Sequence, residues 1–118
     1  MKIEVYGIPN CDTVKKARKW LETSGRDYSF HDYKKEGADP GKLEDWTSRV
    51  GWEPLLNTRG TTFRKLSDDD KANIDREKAI ALMAANPSMI KRPVVEFSDE
   101  EGYGILVGFK ESDWETEL

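Results

Sequence analysis

Cys11 is the one cysteine and His31 the one histidine in a chain of 118 residues. A lone thiol forms neither an internal disulfide nor a Cys-rich zinc site, and a lone imidazole rules out a histidine cluster. No metal site is expected. Chemistry must then rest on the Cys11 sulfur, on carboxylates or on basic side chains. Cys11 follows Ile8-Pro9-Asn10 and precedes a helical pattern, so it stands where the chain enters a helix. Unpaired amide groups and the helix dipole favour an anion there, and a thiolate is such an anion. Asp12 and Thr13 can cap the first turn. A free cysteine can also be an inert, half-buried core residue. A two-cysteine redox site would carry its second thiol three residues on, where Val14 stands. A redox-active Cys11 therefore needs a thiol from outside, and glutathione or a protein thiol is the natural donor.

Two further stretches bear on an anionic partner. Arg92-Pro93 opens a strand after a loop, a place where an X-Pro bond is either cis or an ordinary trans start. The stretch Arg59-Gly60-Thr61-Thr62-Phe63-Arg64-Lys65 holds three positive charges and no acid. Guanidinium groups grip carboxylates and oxyanions in a two-pronged fork. One reading makes Arg59, Arg64 and Arg92 an anion-binding rim for Cys11. The other makes the stretch a solvated loop paired with Asp68, Asp69 and Asp70. The candidate substrate and anion-binding residues are therefore Asn10, Thr13, Arg59, Arg64, Arg92 and Pro93, with Cys11 as the nucleophile. His31 reads as a strand-end surface residue on the face opposite Phe30, and Trp46, Trp52 and Trp114 read as packing residues.

These residues need elements to hold them. Ile3, Val5 and Gly7 alternate with Lys2, Glu4 and Tyr6, which predicts a strand over 2–7. Val14, Ala17, Trp20 and Leu21 recur at helical spacing, so a helix runs from Asp12 to near Ser24 with Gly25 as its stop. A second strand is expected over about 27–33, parallel to the first by the handedness of β-α-β units. Asp39-Pro40 caps a helix carrying Leu43, Trp46, Thr47 and Val50 and closed by Gly51. Residues 52–56 read as a short helical turn, 57–65 as loop and 67–74 as polar with one helical turn. Asp75 caps a helix ending at Asn86-Pro87. Val94 to Phe97 and Gly104 to Phe109 form a hairpin, and a last helix over 110–118 turns Trp114 inward. The order β-α-β, helices, β-β-α is an α/β, thioredoxin-like fold in a single domain, with a helical insertion at about 38–88.

Composition sets the outer bounds. Apolar and charged residues each make up 36%, so the core is lean and leans on four Trp, four Tyr and four Phe. A chain of this length still buries one core without disulfides. The net charge of −4 hides an asymmetry, because residues 96–118 hold eight acids against one lysine. Nucleic acid is a poor partner for such a chain. No apolar run approaches the roughly 18 residues of a membrane span. The mixed start Met1-Lys2-Ile3-Glu4-Val5 is unlike a signal peptide, so a cytoplasmic location is expected, as a monomer.

Three stretches resemble one family. Gly7-Ile8-Pro9-Asn10-Cys11-Asp12-Thr13-Val14-Lys15-Lys16-Ala17, Leu55-Leu56-Asn57-Thr58-Arg59-Gly60-Thr61-Thr62-Phe63-Arg64-Lys65 and Pro87-Ser88-Met89-Ile90-Lys91-Arg92-Pro93-Val94 are similar to the arsenate reductase C (ArsC) family, in its YffB/Spx-like branch. The resemblance implies a thioredoxin-like fold with a helical insertion, Cys11 as nucleophile, and Arg59 and Arg92 as oxyanion-binding arginines. Arsenate reductases of the family carry a further arginine on the C-terminal hairpin, yet no arginine follows Arg92 here. The Spx branch usually carries a Cys-x-x-Cys switch, which Val14 removes. What the resemblance leaves is a glutathione-dependent thiol reductase with no bound cofactor, acting on a protein disulfide or an oxyanion. A Spx-like protein that binds transcription machinery and a genuine arsenate reductase are the alternatives.

Overall fold

The computed structural model describes all of residues 1–118. The elements are β1 (Lys2–Gly7), α1 (Asp12–Thr23), β2 (Ser29–Asp32), α2 (Tyr33–Glu36), α3 (Pro40–Val50), α4 (Thr61–Arg64), α5 (Asp68–Lys71), α6 (Arg76–Ala85), β3 (Val94–Asp99), β4 (Gly102–Val107) and α7 (Glu111–Glu117), with a 3₁₀ turn at Pro87–Met89. The chain forms two compact units, one of residues 1–36 with 92–118 and one of residues 37–91.

The first unit holds a four-stranded sheet in the order β2-β1-β3-β4. β1 runs parallel to β2 with Gly7 opposite Asp32, antiparallel β3 sets Val94 opposite Tyr6, and β4 continues with Val107 opposite Val94. This is the expected β-α-β…β-β-α, thioredoxin-like arrangement. Period-two alternation sorts the side chains. Ile3, Val5 and Val95 meet Ala17 and Leu21 of α1 and Trp114 of α7 in an apolar core, edged by Phe30, Phe97 and Leu106. Trp114 stands edge-on to Trp20 at 5.7 Å and to Phe109 at 4.8 Å, an arrangement aromatic rings favour. Its indole N–H donates to the Gly108 carbonyl at 3.2 Å. Gly7 lets β1 and α1 close up, since a Cβ there would lie 2.9 Å from Val14 Cγ2.

The other face of the sheet is polar. Glu4, Tyr6, His31, Glu96 and Tyr103 share it by register. Glu96 is only 4% exposed, and its two oxygens accept from Tyr6 Oη at 3.0 Å and Tyr103 Oη at 2.8 Å. His31 stacks on Tyr6 with ring centres 4.4 Å apart. It sits between Glu4 at 3.4 Å and Glu36 at 3.5 Å, so the expected strand-end histidine has two acidic neighbours.

The second unit is helical. Asp39 caps α3 by accepting from the Gly41 N–H at 3.0 Å, and Asp75 caps α6 through Lys78 N–H at 2.8 Å. Leu43, Trp46, Ala79 and Met83 are buried where the two helices pack. Arg76 ties them further, donating to Thr47 Oγ1 and to the Glu44 carbonyl, both at 3.0 Å. Two short helices were not expected. α4 lies inside the predicted loop over 57–65, and α2 replaces the end of the second strand, which starts at Ser29. Each is a single turn, too short to show a 3.6-residue repeat. Residues 52–56 turn as expected, with the Leu56 N–H on the Trp52 carbonyl at 3.0 Å, though Trp52 is half-buried and Trp46 is the unit's buried indole.

Candidate active site

The chain leaves β1 at Gly7 and turns through Ile8-Pro9-Asn10. The Cys11 N–H closes that turn on the Ile8 carbonyl at 3.2 Å, while the Cys11 carbonyl takes the first helical bond from Lys15 at 2.9 Å. Cys11 is thus the N-cap of α1, in extended conformation, and its side chain makes no capping bond. The amides of Asp12, Thr13 and Val14 begin the helix without intrahelical acceptors. The sulfur is free and partly exposed. A thiolate at such a point faces amide donors and the positive end of the helix dipole.

The sheet register brings other candidates to the same end. Asn10 and Thr13 flank Cys11 and are exposed. Pro93 is buried and comes just before Val94, whose partner on β1 is Tyr6. The Arg92–Pro93 peptide is cis. Pro93 also accepts the Gly108 N–H at 2.8 Å, which fastens this corner to the end of β4. Arg92 is half-buried.

Arg59 and Arg64 belong to the second unit, and both are exposed. The Arg59 N–H donates to Asn57 Oδ1 at 3.2 Å, a turn that leads to Gly60 as N-cap of α4, and Arg64 ends that helix. Thr62 Oγ1 and Ser88 Oγ meet at 2.9 Å, and the Asn57 N–H reaches the Met89 carbonyl at 2.7 Å. The basic stretch is therefore built into its unit. Next to it, Asp70 donates its N–H to Ser67 Oγ at 3.2 Å, and Lys71 Nζ donates to the Arg64 carbonyl at 2.8 Å.

One residue at the Cys11 end of the sheet escaped sequence reasoning. Tyr33 follows Asp32, the partner of Gly7, and is 4% exposed with no hydrogen bond to its hydroxyl. Burial pushes its phenol well up from the ordinary value, the Arg92 charge pulls it back, and the Glu96 charge adds to the rise. Tyr6 is also pushed up, first by burial and then by the charge and hydrogen bond of Glu96. The alternation puts Tyr6, His31 and Glu96 on one face, whereas Tyr33 opens α2, where the strand repeat has ended. No group of three or more His, Cys, Asp and Glu side chains is placed to hold a metal ion.

The ArsC family model matches residues 6–116. The chain belongs to the ArsC family. A relative from Haemophilus influenzae, an uncharacterized protein, is 41% identical over 114 residues, covering 97% of this chain and 96% of the relative. The global transcriptional regulator Spx of Streptococcus pyogenes is 30% identical over 113 residues, covering 94% of this chain and 81% of the regulator. Among solved structures, a YFFB protein superposes with a TM-score of 0.92 at 49% identity, covering 98% of each chain. An arsenate reductase (ArsC) related protein from Brucella melitensis gives 0.75 at 51% identity, covering 99% of this chain and 94% of the other.

Proposed function

We propose that this ArsC-family chain is a thiol–disulfide oxidoreductase that works through Cys11 with glutathione as co-substrate. The observation that carries the reading is the place of Cys11: the chain's sole thiol, unbonded and partly exposed, at the N-cap of a 12-residue helix. The thiolate attacks one sulfur of a disulfide, an S–S bond forms with Cys11, and the other sulfur leaves as a thiolate that takes a proton from water. With Val14 in place of a second cysteine, the mixed disulfide is resolved from outside. One glutathione thiolate displaces the product, a second releases Cys11, and the glutathiones leave joined by a disulfide. Asn10, Thr13 and the backbone at Pro93 are assigned to positioning the partner and Arg92 to its carboxylate. Arg59 and Arg64 are assigned to anion binding on the second unit. Glutathione is a reductant of the cytoplasm, which is where we place the protein, acting as a monomer. No helix is long and apolar enough to cross a membrane.

Mass spectrometry of the intact protein after exposure to oxidised glutathione tests the reading. Wild type should gain one glutathione, and Cys11→Ser should gain none while keeping its thermal midpoint. The likeness to Spx supports a second reading, a module that binds transcription machinery. Absence of any adduct on wild type would shift the assignment to that module.

A further inference from the structure

The two edges of the sheet are defended differently. An edge strand offers a row of unpaired backbone groups to any other strand, and proteins blunt it with charge, proline, bulges or short length. β2 is blunted: it has four residues, ends on His31 and Asp32, and gives way at once to α2. β4 is not. It runs for six residues, pairs only with β3, and residues 102–109 hold neither a charge nor a proline. The Gly108 N–H on the Pro93 carbonyl at 2.8 Å sets the phase of the ladder. Alternation back from it turns the peptide groups of Leu106, Gly104 and Gly102 to β3, and those of Ile105 and Val107 outward. No backbone bond reaches Ile105 or Val107 from that side. Their side chains are only half-buried on one face of the strand, as is Leu106 on the other. Charge brackets this apolar edge. Asp99, Glu100 and Glu101 are exposed at its start, Glu111 and Asp113 are exposed past its end, and Lys110 is the one base among them.

We propose that the outer edge of β4 is a docking site for an extended segment of a partner protein, apolar at alternate positions and basic at both ends, which joins the sheet as a fifth strand. Ile105 and Val107 supply the main-chain hydrogen bonds, and the half-buried apolar side chains on both faces supply the contact. The acids at the two ends select Lys or Arg at the ends of the partner segment. A second copy of the chain is a poor occupant, because it brings the same acids to the same edge. β3 separates β4 from β1 and its Cys11 turn, so the proposal stands apart from the thiol chemistry.

Amide hydrogen exchange of the full chain tests it, with the capped peptide Lys-Lys-Val-Thr-Val-Thr-Val-Lys-Lys as the probe. At saturation, exchange at Ile105 and Val107 should slow by about tenfold, the order expected of an added backbone hydrogen bond. The amides of β2 should keep their rates. The same peptide with Glu in place of Lys, or N-methylated at every Val and Thr, should give no protection. Ile105→Pro removes an N–H that bonds nothing within the fold, and it should abolish protection of Val107. The N-methylated peptide asks the same question from the partner's side and leaves the protein unaltered. Unchanged exchange at Ile105 and Val107 overturns the proposal. So does protection that persists with the acidic peptide, with the N-methylated peptide or in Ile105→Pro. Slowing that grows with protein concentration in the absence of peptide overturns it in favour of a second copy.

Discussion

At the scale of single residues, Tyr33 makes a prediction about stability. In the unfolded chain its phenol loses a proton near pH 10, whereas in the folded chain burial keeps it protonated well beyond that. The unfolded state then binds fewer protons, so stability is intact below about pH 10 and falls as pH rises past it. The slope is about 1.4 kcal/mol per pH unit for each such group. Tyr33→Phe removes one group without removing a hydrogen bond, so its loss of stability above pH 10 should be shallower than wild type by about that slope. Urea unfolding at pH 8, 10 and 11 reads the difference. Parallel losses in the two proteins would show that the phenol ionises freely in the folded state. Tyr6, raised for the same first reason, should contribute a second slope of the same sign.

Among the elements, the turn that presents Cys11 depends on how closely β1 approaches α1. Gly7 permits that approach, since a methyl group there would press on the buried Val14 side chain at 2.9 Å. Gly7→Ala should therefore destabilise by about 1–3 kcal/mol, the usual cost of overfilling a packed core. Adding Val14→Ala should recover part of that loss, because it removes the methyl group in the way. Urea midpoints of the two variants beside wild type settle it, and a Gly7→Ala protein as stable as wild type would mean that strand and helix slide apart freely. The sequence was legible where local chemistry decides structure. Asp39-Pro40 and Asp75 start their helices, Gly51 stops one, and the alternation over 2–7 is a strand. It was not legible where one turn is all there is, as at α2 and α4. The site divides along the same line. Cys11 announced itself through the residues on either side, and Arg92-Pro93 through its proline. Tyr33 reads locally as one more aromatic residue at the end of a strand. Its isolation becomes visible only once β2 lies beside β1 and Glu96 has taken its own partners.

For the whole molecule, the distribution of charge bears on the substrate. Every arginine lies at or before Arg92, and the stretch from Glu96 to Leu118 holds eight acids against one lysine. β4 and α7 therefore bring no guanidinium to an oxyanion, and the acids beside them repel one. Arsenate turnover should accordingly be weak or absent next to exchange with a carboxylate-bearing thiol. Oxidation of reduced glutathione followed with and without arsenate gives the answer. A brisk arsenate-dependent rate that disappears in Cys11→Ser would reverse the ranking of substrates.

The four indoles fall two to each unit: Trp20 and Trp114 in the first, Trp46 and Trp52 in the second. They differ in setting. Trp20 and Trp114 stand edge to face, 5.7 Å between ring centres, close enough for their electronic transitions to couple. Trp46 is buried, while Trp52 is half open to water. The protein thus has an intrinsic optical reporter for one unit: a coupled pair whose near-ultraviolet circular dichroism follows the sheet and α7. It needs no label, so light can follow that unit while the Cys11 thiol is left untouched for its chemistry.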